Sequence, residues 1–517
     1  MSEEKVQQLL KRHDRAMEKT AQWRDLLDTT YFYALPNRNP FNNTTSRGNM
    51  QNEQVYDNTL VLALRKFVNR MIKALLPPEV DWLKLIPGRE IPEEDREEKE
   101  RELQAITETF FFYLRQSNFD LVIHEAFMDM AISTGVIQIN EGGEDDPLMF
   151  SSVPSDKIGF ESDQMGDLSA FFRTWPDVPV DQAQAIWNDN LKIPAEAIEN
   201  KKDPKLNIKE ISYYDFKEKV YRYYVIDAHT RTIMLEEEMT SWPWIGFRWS
   251  RYPGEDRGRG PALDAVPTAA TINKAIEDEL KSAALAANPP YMAYTDSIIN
   301  PYNFKVEPNA IISVNPGGTE TWPIAPLPGG GDISFSALVV NDLRAQINEI
   351  MMAQPLNPLQ NGPVRTATEV AVTQNELREN AGAAFSRVQR ELFDPLVKRV
   401  IYILKKKGLM APVTIDGREV AISYSTPLSV SKDTTDVQTF VEFYQILAGM
   451  FTPGIAINLL DAPKLPRWIG SKLNTQLDLI KDSDQVEALI QQALQMAEGA
   501  AEQQQPGPQE PGATDVF

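Results

Sequence analysis

Residues able to do chemistry are few in this chain and lie far apart. There is no cysteine, which excludes disulfides, Cys-ligated zinc and thiol catalysis and fits a reducing compartment. The three histidines are His13, His124 and His229, and no H-E-x-x-H motif or His/Asp cluster surrounds any of them. We therefore expect each histidine to have a structural role.

Two acidic runs are the remaining candidates for metal ligands. They occupy residues 144–146 and 236–238. Neither follows the spacing of an EF-hand loop, and acidic runs in loops are usually solvated. The sequence therefore predicts no metal site, and no cofactor.

Motifs for nucleotide hydrolysis and acyl transfer are missing as well. No G-x-x-x-x-G-K-[ST] occurs, and the triple glycine at residues 329–331 is followed by Asp-Ile-Ser, which supplies no lysine for phosphates. No G-x-S-x-G occurs either. We expect a protein that is not an enzyme; a metal-dependent hydrolase using the acidic runs stays open as an alternative.

Composition points to a multi-part, acidic molecule. A chain of 517 residues is long enough for several domains, because single cores stop growing at about 250–300 residues. No apolar run approaches the roughly 18–20 residues of a membrane span, and no signal peptide is recognisable. The net charge of −22 argues against tight general binding to nucleic acid, which needs clustered Lys and Arg.

Periodicity predicts helices first and antiparallel sheet afterwards. Apolar residues at three- and four-residue steps predict helices over residues 3–35, 55–76, about 93–117 and 119–134. From Val136 the period changes to two. Hairpins are predicted at the turn 164–167 and at His229-Thr230, with a short helix over 180–190 between them.

Two long helices organise the middle of the chain. A Gly/Arg/Pro-rich approach, 251–261, leads into an Ala-rich helix over 264–287, which Pro289-Pro290 ends. A second helix over 332–354 stops at Pro355. The Pro/Gly-rich segment between them predicts an antiparallel helix pair that carries a projecting tip.

The C-terminal part is predicted to be largely helical. A loop with three prolines, 355–365, precedes a helix that runs from Thr366 or Thr368 to about Lys407. A hairpin turns at Asp416-Gly417. Helical pieces follow over 433–502, and the tail 503–517 is predicted to be disordered. The fold class is therefore mainly α with α+β parts.

Four local patterns resemble the portal proteins, or head-to-tail connectors, of short-tailed, podovirus-type tailed bacteriophages. They are SNFDLVIHEAFMDMAISTGVIQI at 117–139, FRWSRYPGEDRGRGPALDAVPTAATINKAIEDELKSAALAANPP at 247–290, TATEVAVTQNE at 366–376 and RELFDPLVKRVIYILKKKG at 390–408. Together they span most of residues 50–410 in the family's order, and the second and third are the most specific.

The resemblance implies a dodecameric ring at one capsid vertex, through which double-stranded DNA is packaged and later ejected. Its other implied partners are the terminase large subunit, which would hydrolyse ATP, the tail adaptor proteins, and the major capsid and scaffolding proteins. The chain would reside in the virion and in the host cytoplasm during assembly. The implied parts are a wing (1–263 and 366–432), stem helices (264–287 and 332–354), a clip (288–331), a tunnel loop (355–365), a helical crown (433–502) and the tail (503–517).

The resemblance also assigns residues to the channel. The cations and amides expected to face DNA, which is bound without sequence specificity, are Lys274, Lys281, Arg344, Gln360, Asn361 and Arg365. The alternative for each cation is a salt bridge between adjacent subunits, for example with Glu277 or Asp278. The residues expected to pack between subunits in the stem are Ala269, Ile272, Ile276, Leu280, Ala283 and Ala287.

A ring-forming structural adaptor from outside phages, with the same helical stem, is the main alternative to a portal. Composition and long helices with small-residue faces suit both.

Overall fold

A computed structural model of the chain shows helices and antiparallel sheets, which confirms the predicted mainly α architecture with α+β parts. The chain divides into two units by its internal contacts. One comprises Met1–Ile72, Phe112–Pro363 and Ala381–Pro412; the other comprises Lys73–Phe111, Val364–Asn380 and Val413–Phe517. The structure describes residues 3–41, 53–143, 145–187, 191–194, 204–287, 291–293, 324–326, 333–353, 382–411, 420–424, 427–451, 459–472, 481, 485–487 and 492.

Helices account for most of the described regular structure. They are α1 (Glu3–Gln22), α2 (Arg24–Ala34), α3 (Thr59–Leu75), α4 (Glu93–Gln116), α5 (Phe119–Ile132), α6 (Val180–Trp187), α7 (Pro261–Ala287), α8 (Ile333–Ile350), α9 (Asp394–Lys406), α10 (Pro427–Met450) and α11 (Leu465–Lys472). Residues 382–388 are also helical and continue into a π-helical turn, Gln389–Phe393, that leads directly into α9.

The strands within the described residues form four antiparallel sheets, with orders β4-β5-β6-β7-β8, β3-β2-β9, β1-β12 and β10-β11. Their bounds are β1 (Leu83–Pro87), β2 (Thr134–Glu141), β3 (Leu148–Ser152), β4 (Ile158–Ser162), β5 (Leu168–Pro179), β6 (Lys205–Asp215), β7 (Val220–Asp227), β8 (Thr232–Met239), β9 (Trp244–Arg248), β10 (Tyr291–Ala293), β11 (Ile324–Pro326) and β12 (Val420–Tyr424).

The five-stranded sheet is the centre of the first unit. Helix α1 places Val6, Leu9 and Leu10 against the sheet residues Phe172 and Ile211. Helix α6 contributes to a second apolar cluster with residues of β5–β8. Each buried apolar side chain of this kind stabilises the fold by about 1.5–3 kcal/mol.

One helix predicted over residues 3–35 is in fact two. At Trp23 the backbone N–H bonds to Thr20 O (3.1 Å), which is three residues back instead of four, so the chain turns before α2 begins. The Arg259 guanidinium lies 5.0 Å from the centre of the Trp23 ring. The break therefore forms where the loop before α7 meets the N-terminal helices.

The second unit has its own small core. Strand β1 pairs with β12, and the Trp82 ring meets Phe110 and Phe111 edge to face at 6.3 and 5.4 Å. Helices α10 and α11 pack through Phe440 and Trp468, whose ring centres lie 5.2 Å apart. Helix α10 begins six residues before the predicted start at 433.

Candidate functional site

Helices α7 and α8, predicted as the two long helices, pack against each other. Helix α7 begins at Pro261, three residues earlier than predicted, and α8 ends at Ile350 instead of 354. A proline suits the first helical position because its missing N–H would have no partner there. Among the described residues, the buried alanine, isoleucine and valine side chains of the pair are Ala262, Ala265, Ala269 and Ile272 in the N-terminal half of α7, and Val340 and Ile347 in α8.

The described side chains in the C-terminal half of α7 are exposed or half-buried in this chain. Leu280 is 54% exposed, and Ala283 and Ala284 are also exposed. By contrast Ala269 and Ile272 are buried, and Ile276 is half-buried. Of the residues predicted to pack between subunits, Ala269 and Ile272 thus belong to the chain's own core, whereas Leu280 and Ala283 are exposed. Ala287 ends α7, and its side chain is outside the described residues.

The start of α7 is held by close backbone contacts with α5. Gly260 N donates to Ile132 O (3.0 Å), and Gly258 N donates to Thr134 Oγ1 (2.9 Å). A Cβ on Gly260 would lie 2.0 Å from Ala131 O, and one on Gly258 would lie 2.7 Å from Arg248 Cβ. Gly258 and Gly260 are therefore required by space.

A buried ion pair fixes the same loop to the π-helical turn. The Arg248 side chain is completely buried, and its Nη2 lies 2.5 Å from Glu391 Oε1. Glu391 Oε2 also accepts from the Arg248 backbone N–H (2.9 Å), while Arg248 Nη1 and Nη2 donate to the carbonyls of Asp256 and Gly166. This one side chain thus ties β9, the loop and residues 389–393 together.

A short segment before α3 clamps the helix pair, and sequence reasoning missed it. The Asn273 side-chain amide donates to Gln54 O (3.0 Å) and accepts from Tyr56 N–H (2.6 Å). The next contact is ionic, because Arg344 Nη2 lies 2.7 Å from Asp57 Oδ2. Residues 54–57 are therefore bonded to both α7 and α8, and nothing in the spacing of Asn273 predicts this.

The ion pair of the clamp depends on pH. Burial by itself would raise the pKa of Asp57, but hydrogen bonds from Thr59 and Arg344 outweigh it and hold that pKa below its usual value. A carboxyl with a lowered pKa stabilises the fold above its ordinary pKa, and this contribution is lost as the pH falls through the lowered value. The clamp is therefore intact at neutral pH and weakens in acid.

We expect Asn273→Ala to release the clamp while the helix pair stays folded. The substitution leaves a backbone N–H and a carbonyl without partners, at a cost of about 1–3 kcal/mol. This corresponds to a roughly 5- to 150-fold larger equilibrium constant for local opening. Hydrogen–deuterium exchange of a peptide covering residues 53–58 measures it. Lys274→Ala, at the exposed neighbouring position, is the matched control, and equal exchange in both variants would contradict the clamp.

The cations predicted to face DNA all have partners where the structure describes them. Lys274 Nζ lies 3.1 Å from Glu277 Oε2 and 3.2 Å from Asp278 Oδ1, and Lys281 Nζ bonds to Glu277 Oε1. Hydrogen bonds to these carboxylates raise the pKa of Lys274 and lower that of Glu277. Arg344 belongs to the clamp. Gln360, Asn361 and Arg365 lie outside the described residues.

Among the described residues, no group of three or more His, Asp or Glu side chains could hold a metal ion. His13 is buried beside the carbonyl of Arg173 (3.3 Å), and burial lowers its pKa. Among the helices that the structure describes, none is long and apolar enough to cross a membrane.

Comparison with known proteins adds three observations. The family model described as bacteriophage head to tail connecting protein matches residues 6–480. A protein named "Probable portal protein", from Bordetella phage BPP-1, is 21% identical over 513 residues, which covers 93% of this chain and 89% of the phage protein. A chain from the neck of an empty GTA particle is 13% identical, with a TM-score of 0.32, and the match covers 73% of this chain and 88% of that one.

Proposed function

Since this chain belongs to the family of bacteriophage head to tail connecting proteins, we propose that it is the portal of a tailed phage. In this role it forms a dodecameric ring at one capsid vertex and serves as the channel for double-stranded DNA. The single observation that carries the proposal is the family match across residues 6–480. We infer a structural role, in which a separate terminase hydrolyses ATP.

The helix pair fits the wall of such a channel. We assign residues 264–287 and 332–354 to the stem, 288–331 to the clip and 355–365 to the tunnel loop. Residues 1–263 and 366–432 are assigned to the wing, and 433–502 to the crown. The exposed alanines and Leu280 on the second half of α7 supply small apolar surface that a neighbouring subunit could cover.

Electrostatics supports a channel that DNA can slide through. The exposed half of α7 carries Glu277, Asp278 and Glu279 against two lysines, and both lysines are already paired with carboxylates of the same helix. Strong binding to DNA needs cations that displace counterions from phosphates. Paired lysines on an acidic face displace few, so phosphates would be weakly repelled at short range.

Partners follow from the same role. The clip would dock the terminase large subunit during packaging and the tail adaptor proteins afterwards, and the outer surface would meet the major capsid and scaffolding proteins. The protein would then be found in the virion after assembly in the host cytoplasm.

Negative-stain imaging of the purified chain tests the proposal. We expect rings of about twelve subunits with an axial hole. Identical head-to-tail contacts between subunits form a ring when the rotation from one subunit to the next closes on itself. A monodisperse monomer at all concentrations would contradict it. Rings that assemble and bind no phage component would favour an adaptor from another system.

Arg365→Ala tests the tunnel-loop assignment. We expect rings to form normally, because the substitution lies in the assigned tunnel loop and outside the assigned stem. We expect DNA packaging or retention to change, because the assignment has this cation facing phosphate. Packaged DNA length and retention in assembled particles are the measurements. Lys11→Ala, at an exposed position of α1, is the control. Normal DNA length and retention in the Arg365 variant would refute the assignment.

A further inference from the structure

Helix α3 presents a basic face in a chain that is acidic as a whole. The helix carries Arg65, Lys66, Arg70 and Lys73 and no carboxylate, whereas the net charge of the chain is −22. Arg65, Lys66 and Lys73 are exposed. Lys73 follows Lys66 by seven residues, or about two helical turns, so the three exposed cations lie on one side of α3, which we call the basic face.

The cations of the basic face are available to another molecule. Within the part of the chain that the structure describes, no hydrogen bond or ion pair engages Arg65, Lys66 or Lys73. The two lysines of α7 differ, because both are paired with Glu277. A ligand of the basic face therefore breaks no existing contact of these three side chains.

An open groove at the start of α4 carries the opposite charge. Its lining includes Glu90, Ile91, Pro92, Asp95, Glu98 and Glu102. Lys99 also lines the groove, but its Nζ lies 2.8 Å from Glu102 Oε2. Asp95 and Glu98 are exposed, and among the described residues neither has a cation as partner. We call this surface the acidic groove; it keeps carboxylates that the chain itself does not neutralise.

The two surfaces agree in length as well as in charge. Lys66 and Lys73 are seven residues apart on α3, and Asp95 and Glu102 are seven residues apart on α4. At about 1.5 Å per residue, each row of charges extends about 10 Å along its helix. Two helices that lie side by side can therefore bring the cations of one row to the carboxylates of the other.

We propose that the basic face of α3 in one copy of this chain docks on the acidic groove of α4 in a second copy. The proposal rests on the proposed ring function and names two of the contact surfaces of that ring. Because the two surfaces differ, each copy uses one of them towards each of its neighbours, which is the head-to-tail arrangement that a ring of identical subunits requires.

A second copy fits the basic face better than DNA does. Leu62 lies one turn before Arg65 and Lys66 on α3 and is 54% exposed. A phosphate offers nothing to this apolar side chain, whereas Ile91 and Pro92 line the acidic groove. The net charge of −22 also opposes the approach of DNA, and three cations displace few counterions from it.

Charge reversal tests the contact through self-association of the full-length chain, measured by sedimentation velocity. We expect Arg65→Glu combined with Lys66→Glu to raise the concentration of half-maximal association at least about tenfold, because like charges then face each other. The matched control is Lys11→Glu combined with Arg15→Glu. Both residues are exposed on α1 and have no partner among the described residues, and the net charge changes by the same amount. Equal association of the two variants would overturn the proposal.

Exchange of the charges identifies the acidic groove as the second surface. Asp95→Lys combined with Glu98→Lys should weaken association by itself. The same two changes placed in the chain that carries Arg65→Glu and Lys66→Glu should restore association, because opposite charges again face each other. Thermal unfolding checks that each variant is folded, and Arg65→Gln with Lys66→Gln replaces an unfolded α3 variant. A folded exchange variant that associates no better than the α3 variant would refute docking on α4.

Imaging of the same samples separates this proposal from the proposed function. Association that follows the exchange of charges but gives no closed rings would support the contact and contradict the portal role. Closed rings that neither reversal affects would contradict the contact and support the portal role, and an unchanged chain that never associates would contradict both. Double-stranded DNA is titrated in parallel; if the α3 reversal weakens DNA binding and leaves association unchanged, the basic face binds phosphate and the docking is refuted.

Discussion

Glu391→Ala is expected to lower the free energy of unfolding by about 3–5 kcal/mol, because it leaves the Arg248 guanidinium buried without its counter-ion. The Arg248 side chain is 0% exposed and that of Glu391 is 11% exposed, so water cannot take over the lost contacts. Glu391 also accepts the backbone N–H of Arg248, which would lose its partner too. Urea denaturation followed by tryptophan fluorescence measures the loss as a shift of the midpoint.

Two variants make this prediction specific to burial. Arg390→Ala removes the neighbouring ion pair with Asp167, whose side chains are 72% and 44% exposed, and exposed pairs contribute only about 0.2–1 kcal/mol. The double replacement of Arg248 by Met and Glu391 by Leu should recover much of the loss, since an apolar pair often replaces a buried ion pair at little cost. A Glu391→Ala variant as stable as Arg390→Ala would show that the Arg248–Glu391 ion pair contributes little to the free energy of unfolding.

Gly260→Ala is expected to destabilise the chain by about 1–3 kcal/mol or more, as overpacking does. The added Cβ would lie 2.0 Å from Ala131 O and 2.2 Å from Ala131 C, and backbone atoms cannot move aside by rotation as a flexible side chain could. The first turn of α7 must therefore shift away from α5, and the hydrogen bond from Gly260 N to Ile132 O would be strained.

Gly143→Ala is the matched control, because no atom lies within 4 Å of a Cβ added there. It should change stability little, or raise it slightly by restricting the unfolded chain. Thermal unfolding of the two variants and imaging of their assemblies are the measurements. Under the proposed function, a displaced α7 should also reduce the yield of closed rings, and an unchanged melting temperature for Gly260→Ala would contradict the close packing.

Local patterns predicted many elements well because their signals lie within each element. Pro92 followed by acidic residues predicted the start of α4, observed at Glu93. Period-two alternation on both sides of residues 164–167 predicted the β4–β5 hairpin, which is observed. Strand β6 was missed, because its inward position Glu210 is polar. That carboxylate is 1% exposed and accepts from Gln138, Trp175 and Tyr223, partners that only the fold brings together.

The predicted long helix before Lys407 shows the same limit. From residue 382 onward the structure confirms helix, but it contains a π-helical turn at Gln389–Phe393, which helical periodicity does not reveal. The turn carries Glu391, the partner of Arg248. Widened turns of this kind are frequent at positions with a special contact, and here the contact is the buried ion pair.

The two long helices α7 and α8 were predicted from the sequence to within a few residues of their observed bounds, because alanine content and apolar period are local signals. The sequence motifs also carried the resemblance to portal proteins, and the family match across residues 6–480 bears that out. Only the tertiary structure decided which side chains of α7 and α8 bond to distant segments of the chain. Arg344 bonds to Asp57, and Asn273 holds a segment more than two hundred residues away. Such contacts depend on which distant segments meet, and the energy that selects them comes from burial and pairing in three dimensions, which no local pattern records.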